Sequence, residues 1–229
     1  MRAPTWWRER QRRRLAARTE EPVVRRHLAQ APPDDRTPLA ELRLLAVDLE
    51  TTGLDPQRDE ILSVGWVPID AGRVVLSGAE ELLVRPSGDV GASATIHGLT
   101  DDAVAAGTSP ADALAVLLPL LEGRVLVAHH SALDVGFLQA AARRLSGVTP
   151  PIASVCTLEL ERRDLDRRGV QLLDGTLRLP ESRRRHGLPD APLHTALGDA
   201  VACAELYLAQ AAAILDADPR ATLAAVRRH

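Results

Sequence analysis

Apolar residues along this chain follow two rhythms. From Leu44 to Leu49 they run almost unbroken, the pattern of a buried strand, and Glu60–Ile69 reads as a second strand. A third is expected over Arg73–Arg85, and the short turn Asp70-Ala71-Gly72 before it implies antiparallel neighbours. Thr95 to Asp102 reads as a loop leading into a helix, with Thr100 as its N-cap. After that, helical spacing alternates with short apolar runs. A helix over Ser109–Leu121, closed by Gly123, is followed by a strand over Arg124–Ala128, a helix over Leu133–Leu145, a strand over Ile152–Val155 and a helix over Thr157–Asp166. Residues 167–190 are rich in Arg, Gly and Pro, with a further helix over Thr176–His186. A last helix runs from about Thr195 to Leu215 and repeats Val201, Ala204, Leu208, Ala211 and Leu215 on one face. A strand meander followed by strand–helix alternation predicts an α/β architecture: a mixed five-stranded sheet, antiparallel at one edge, with helices packed on it.

Composition adds limits. The 229 residues suffice for one domain and a short extension, and at 45% hydrophobic with only 2% aromatic the core must be built from Leu, Val and Ala. Cys156 and Cys203 have no paired spacing and read as small buried residues of a reducing compartment. The apolar stretch Ala113–Leu121 contains Pro119 and is too short to cross a bilayer. The basic N-terminus is not followed by an apolar segment, so a cytoplasmic location is expected.

Charge is uneven. Residues 1–26 hold nine arginines against three acids, a local net charge of +6, which leaves −9 for the remainder of a chain whose total is −3. This segment reads as a basic arm for nucleic acid or an acidic partner such as a polymerase, with Trp6 and Trp7 available to stack or dock; a solubilising extension is the alternative. Pro32, Pro33 and Pro38 mark a linker. The expected organisation is an arm and linker over 1–39, a domain over 40–216 and a tail over 217–229.

The candidate chemistry begins with Asp48 and Glu50. Two residues apart on a strand they share one side, while Val47 and Leu49 anchor the other. Their mutual repulsion would be relieved by a cation, and an oxygen-rich site suits magnesium or manganese; a solvated strand end is the plainer alternative. Gly53 lets the backbone come close to whatever lies there. Asp134 is placed in the first turn of a helix, a position also common for a purely structural acid. His129 and His130 lack a third ligand at zinc spacing. His194 and Asp199 would point ~140° apart on one continuous helix, so His194 belongs on the loop before it, where Pro192 stands. A histidine there is free to take a proton near neutral pH.

In this order and spacing, the motifs resemble those of the DEDDh 3′→5′ exonucleases, typified by the proofreading epsilon subunit of bacterial DNA polymerase III. The resemblance runs from about Leu42 to Leu215. Asp48 and Glu50 match the first signature, Asp134 the second, and His194 with Asp199 the third; Ile96-His97-Gly98-Leu99-Thr100 looks like a substrate-side loop. Three positions depart from the family pattern: His130 for the usual Asn, Leu133 for Phe, and Cys156 before Thr157 where Asp-Thr is common. The resemblance implies an RNase H-like fold with helices on both faces of the sheet. It also implies two Mg²⁺ ions, replaceable by Mn²⁺, held by Asp48, Glu50, Asp134 and Asp199, with His194 as general base. Thr51, Gly53, Leu54 and His97 would hold the terminal nucleotide of a single-stranded 3′ end, and Arg183, Arg184 and Arg185 would track the phosphates or lie in solvent. Trimming of RNA by the same centre, and service as a binding subunit of a polymerase assembly, are the competing expectations.

Overall fold

The computed structural model describes residues 5–86, 104–191 and 194–227. Helices α1 (Thr5–Ala16) and α2 (Pro22–Ala29) come first, then strands β1 (Leu44–Thr51), β2 (Ile61–Asp70), β3 (Arg73–Val74) and β4 (Glu80–Leu83). Helix α3 (Pro110–Leu120), strand β5 (Val125–Ala128), helix α4 (Ser131–Ser146), strand β6 (Ser154–Cys156) and helix α5 (Thr157–Arg167) alternate after them. Helices α6 (Leu179–Arg185), α7 (Ala196–Ala217) and α8 (Leu223–Val226) complete the order. β1 is central: it pairs antiparallel with β2 and parallel with β5, and β6 adds parallel beyond β5.

Side-chain alternation along β1 builds a core on each face. Leu45 and Val47 pack with Val24 and Leu28 of α2, Leu114 and Leu117 of α3, and Leu138 of α4. Leu44 and Ala46 face Leu160 of α5, Cys203, Ala204 and Tyr207 of α7, and Leu223 and Val226 of α8. The expected sheet with helices on both faces is therefore present. By length and composition α7 could cross a membrane, but it packs on this sheet: of the expected stripe Ala204 and Ala211 are buried, with Val201, Leu208 and Leu215 partly buried beside them.

The edge beyond β2 differs from expectation. The single strand over Arg73–Arg85 is two short strands, β3 and β4, separated by a 3-10 turn at Leu76–Gly78, so the sheet has six strands in five positions. The cause is Pro68 in β2. Its carbonyl accepts from Val75 N at 2.9 Å, but proline has no N–H to return to the same neighbour, so the ladder breaks there and the partner lifts away.

The ends of the chain also differ. The basic segment is a helical hairpin, with Val24 and Leu28 in the core, and Leu223 and Val226 of the expected tail are fully buried. Arg12 latches the hairpin: its guanidinium donates to the carbonyls of His27, Leu28 and Gln30 at the C-terminal end of α2, and to Pro151 O. The helix's negative end and orphan carbonyls suit a buried cation. The segment Thr95–Asp102 lies outside the described residues.

Candidate active site

Asp48 and Glu50 leave β1 on the α7 side. Opposite Asp48 in β2 stands Gly65. A Cβ there would collide with the backbone of Ala196 and Leu197, so glycine lets the first turn of α7 lie directly on the sheet. Thr195 caps that turn, its Oγ1 accepting from Gly198 N at 3.0 Å. Asp199 is thereby held above the strand. One carboxylate oxygen from each of Asp48, Glu50 and Asp199 lies within 4.8 Å of the others. Asp134, in the first turn of α4, is buried beside them at 7% exposure and its charge acts on Asp48.

The electrostatics follow from burial and, at Asp48, from crowding. Burial first, then the charges of Asp134, Asp199, Glu50 and Glu81, push Asp48 well above the usual carboxylate range. Burial raises Asp134 to about 7. Asp199 is also raised by burial, against a hydrogen bond from the backbone N–H of His194 to its Oδ2 at 3.0 Å. His194 lies on the loop before α7, as expected, with its side chain exposed and its backbone at φ +77°. A non-glycine residue is strained in that region.

Sequence reasoning missed two contributors. Gly65 sets the closeness of α7. Glu81 lies opposite Gly65 in β4, accepts from Ser63 Oγ at 2.6 Å, and adds a fifth carboxylate to the neighbourhood of Asp48. The available signal was Ser63 and Gly65, two small residues whose spacing on β2 matches Asp48 and Glu50 on β1.

Other expected positions fall variously. Thr51 Oγ1 donates to Gly53 O at 2.6 Å, forming the turn that ends β1. What lies close to Gly53 is the Asp59 carboxylate, which a Cβ would strike. Leu54 is 78% exposed just beyond, and His97 lies outside the described residues. His129 is structural: its ring nitrogens meet Thr157 Oγ1 at 2.9 Å and Leu177 O at 2.8 Å, and burial lowers its pKa to about 4. Arg183 and Arg185 are engaged within the protein itself. Arg183 is buried against Ala202 O and Glu205, and Arg185 pairs with Glu161 at 2.6 Å. Arg184 lies on the surface, paired with Glu181.

A sheet of this order with helices on both faces is a fold shared with solved exonuclease structures. It is similar to cell-death related nuclease 4 (TM-score 0.64, 14% identity, 79% of this chain and 66% of that one). It is also similar to E. coli exonuclease I in complex with a dT13 oligonucleotide (TM-score 0.62, 17% identity, 78% and 42%). The exonuclease family model matches residues 45–207, and the chain belongs to that family. Among its relatives, the PolC-type DNA polymerase III of Thermotoga maritima is 32% identical over 82% of this chain and 13% of its own length. The DNA polymerase III subunit epsilon-like protein of Rhodobacter capsulatus is 33% identical over 75% and 24%. A putative bifunctional exonuclease/endonuclease protein of Mycobacterium tuberculosis is 32% identical over 76% and 27%. The chain thus spans about a quarter or less of the length of these relatives.

Proposed function

We propose that this chain is a 3′→5′ exonuclease that removes nucleoside 5′-monophosphates from single-stranded 3′ ends, of DNA in preference to RNA. The observation that carries this reading is the convergence of Asp48, Glu50 and Asp199 within 4.8 Å, with Asp134 beside them. Burial raises Asp48, Asp134 and Asp199, and the neighbouring carboxylates raise Asp48 further, so the cluster is short of compensating positive charge. A donor set of carboxylate oxygens fits Mg²⁺ or Mn²⁺. Asp48, Glu50 and Asp199 would hold one ion, and Asp48 with Asp134 a second. Such ions supply charge stabilisation at phosphorus and a more acidic attacking water.

The chain's own groups do the rest. His194, exposed on its loop, takes the proton of the attacking water, and its bond to Asp199 keeps the loop beside the cluster. The turn Thr51-Thr52-Gly53 presents backbone to the terminal nucleotide, and Leu54 offers an apolar surface for its base. The polymerase III relatives favour DNA, and they favour a second reading in which the domain works beside a polymerase.

The test is incubation with single-stranded DNA and RNA labelled at the 5′ end, with Mg²⁺, Mn²⁺ or chelator. Stepwise shortening from the 3′ end, faster on DNA, abolished by chelator and by Asp48→Ala, is expected. Internal cutting, shortening from the 5′ end, or activity that survives chelator would overturn it.

A further inference from the structure

Helix α1 is polarised in a way its composition conceals. At ~100° per residue, Trp7, Arg10, Arg13 and Arg14 fall within an arc of about 120°, and Arg12 lies on the opposite side. Arg12 is the buried latch to α2, whereas Arg10, Arg13 and Arg14, with Arg18 just past the helix, are exposed. Among the described residues none of these four side chains has an ion-pair or hydrogen-bond partner. The nearby Arg25 and Arg26 instead pair with Glu20 and Glu122. Trp7 is 45% exposed on the same face. Unpaired guanidinium groups around an open indole match phosphates flanking a stacked base, which is how single strands are held without sequence preference.

The face is remote from the carboxylates. Arg12 reaches Pro151 O just before β6, and Arg26 pairs with Glu122 just before β5. The hairpin therefore sits at the end of the sheet where β1 and β5 begin, since Leu44 pairs with Val125. From Leu44 to Glu50 along β1 is about 20 Å, the reach of about six stacked nucleotides at ~3.4 Å each.

We propose that the Trp7–Arg10–Arg13–Arg14 face of α1, with Arg18, is a second, sequence-independent binding site for single-stranded nucleic acid, holding the strand several nucleotides away from the end being trimmed. The role in trimming rests on the nuclease reading above; the binding does not. A strongly acidic remainder of the chain, net −9 outside residues 1–26, would otherwise repel a long polyanion.

The test uses the full chain with Arg10, Arg13, Arg14 and Arg18 all changed to Ala, and separately Trp7→Ala. Alanine at the exposed helical positions preserves the helix, Arg18 lies beyond its end, and an unchanged melting temperature checks both. In chelator, where no turnover occurs, affinity for a 25-nucleotide single strand should fall at least tenfold in the quadruple variant. Its log–log salt slope should shrink by about 3, at ~0.7 per lost phosphate contact. Trp7→Ala should weaken binding about tenfold. With metal, the quadruple variant should raise KM for the 25-mer while hydrolysis of a dinucleotide is unchanged. Unchanged affinity and slope would overturn the site, as would equal losses on the dinucleotide. Lost affinity for polyglutamate with retained affinity for DNA would assign the face to an acidic protein and also overturn it. If the chain binds the 25-mer through this face yet cuts nothing, the nuclease reading falls and the binding site stands.

Discussion

Among the described residues, His194 and His130 are the two histidines held in the left-handed region, at φ +77° and +85°, and they sit at the two helix starts that frame the acidic cluster. Strain of this kind costs about 1–3 kcal/mol and persists where surrounding contacts impose it. For His194 the contact is its backbone bond to Asp199, and the strained loop holds the ring out in solvent beside the carboxylates. His194→Ala is expected to lower kcat by roughly 10²–10⁴ with little change in melting temperature, because alanine is no easier to place there. A wild-type pH–rate profile in this variant would remove the histidine from the mechanism. His130, exposed at the N-cap of α4, shows the same strain without an evident chemical use. Asparagine tolerates the left-handed region better, so His130→Asn should stabilise by about 0.5–1 kcal/mol, a rise of ~1–4 °C by calorimetry. A lower melting temperature would mean that the imidazole makes a stabilising contact.

At the scale of elements, the packing of α7 on β2 decides whether Asp199 reaches the strand. Gly65→Ala places a methyl group against the backbone of Ala196 and Leu197, and backbone cannot swing aside as a side chain can. The expected result is ~1–3 kcal/mol of destabilisation and at least a tenfold loss of kcat, read by denaturant titration and by the exonuclease assay. Full activity would show that α7 can shift without dispersing the carboxylates. A second element-scale prediction concerns the latch. Arg12→Ala leaves the terminal carbonyls of α2 unpaired, costs about 2–4 kcal/mol, and should speed amide exchange across residues 22–30 far more than in β1. What was legible in the sequence was whatever an element declares by itself. The alternation of β1 gave the shared side of Asp48 and Glu50, and the spacing of Val201 to Leu215 gave the side of α7 that packs on the sheet, though Val201, Leu208 and Leu215 lie at its margin and its buried centre also takes Ala200, Cys203 and Tyr207. Illegible features depended on a neighbour. The break between β3 and β4 comes from Pro68 on another strand, the need for Gly65 from a helix over a hundred residues on, and the burial of Arg12 from carbonyls that a charge count treats as absent.

For the molecule as a whole, two acidic arrangements pull stability in opposite directions with pH. Glu161 is buried, which alone would raise its pKa, but hydrogen bonds from His186, Arg185 and Gln210 outweigh this and hold it at about 2. Its folded pKa is below the unfolded value of ~4.3, so its stabilisation, on the order of 2–3 kcal/mol, is complete above that value and is lost as pH falls towards 2. Asp134 and Asp48 are the reverse case. Their folded values lie above the unfolded ~3.9, with Asp134 at about 7. The unfolded chain ionises first as pH rises, and the native state loses a few kcal/mol between about pH 4 and 8. Without divalent cations, the melting temperature should therefore peak near pH 4–5 and decline towards pH 8. A cation that binds the ionised cluster favours the folded state more as the acids deprotonate, so 5 mM Mg²⁺ or Mn²⁺ should lift pH 8 samples much more than pH 5 samples. Asp48→Asn should flatten the decline in chelator and abolish most of the lift. Scanning calorimetry across pH 2.5–8.5, with and without cation, measures all of this. A melting temperature that stays level or climbs from pH 5 to 8 in chelator would mean the four carboxylates are not crowded enough to need a metal.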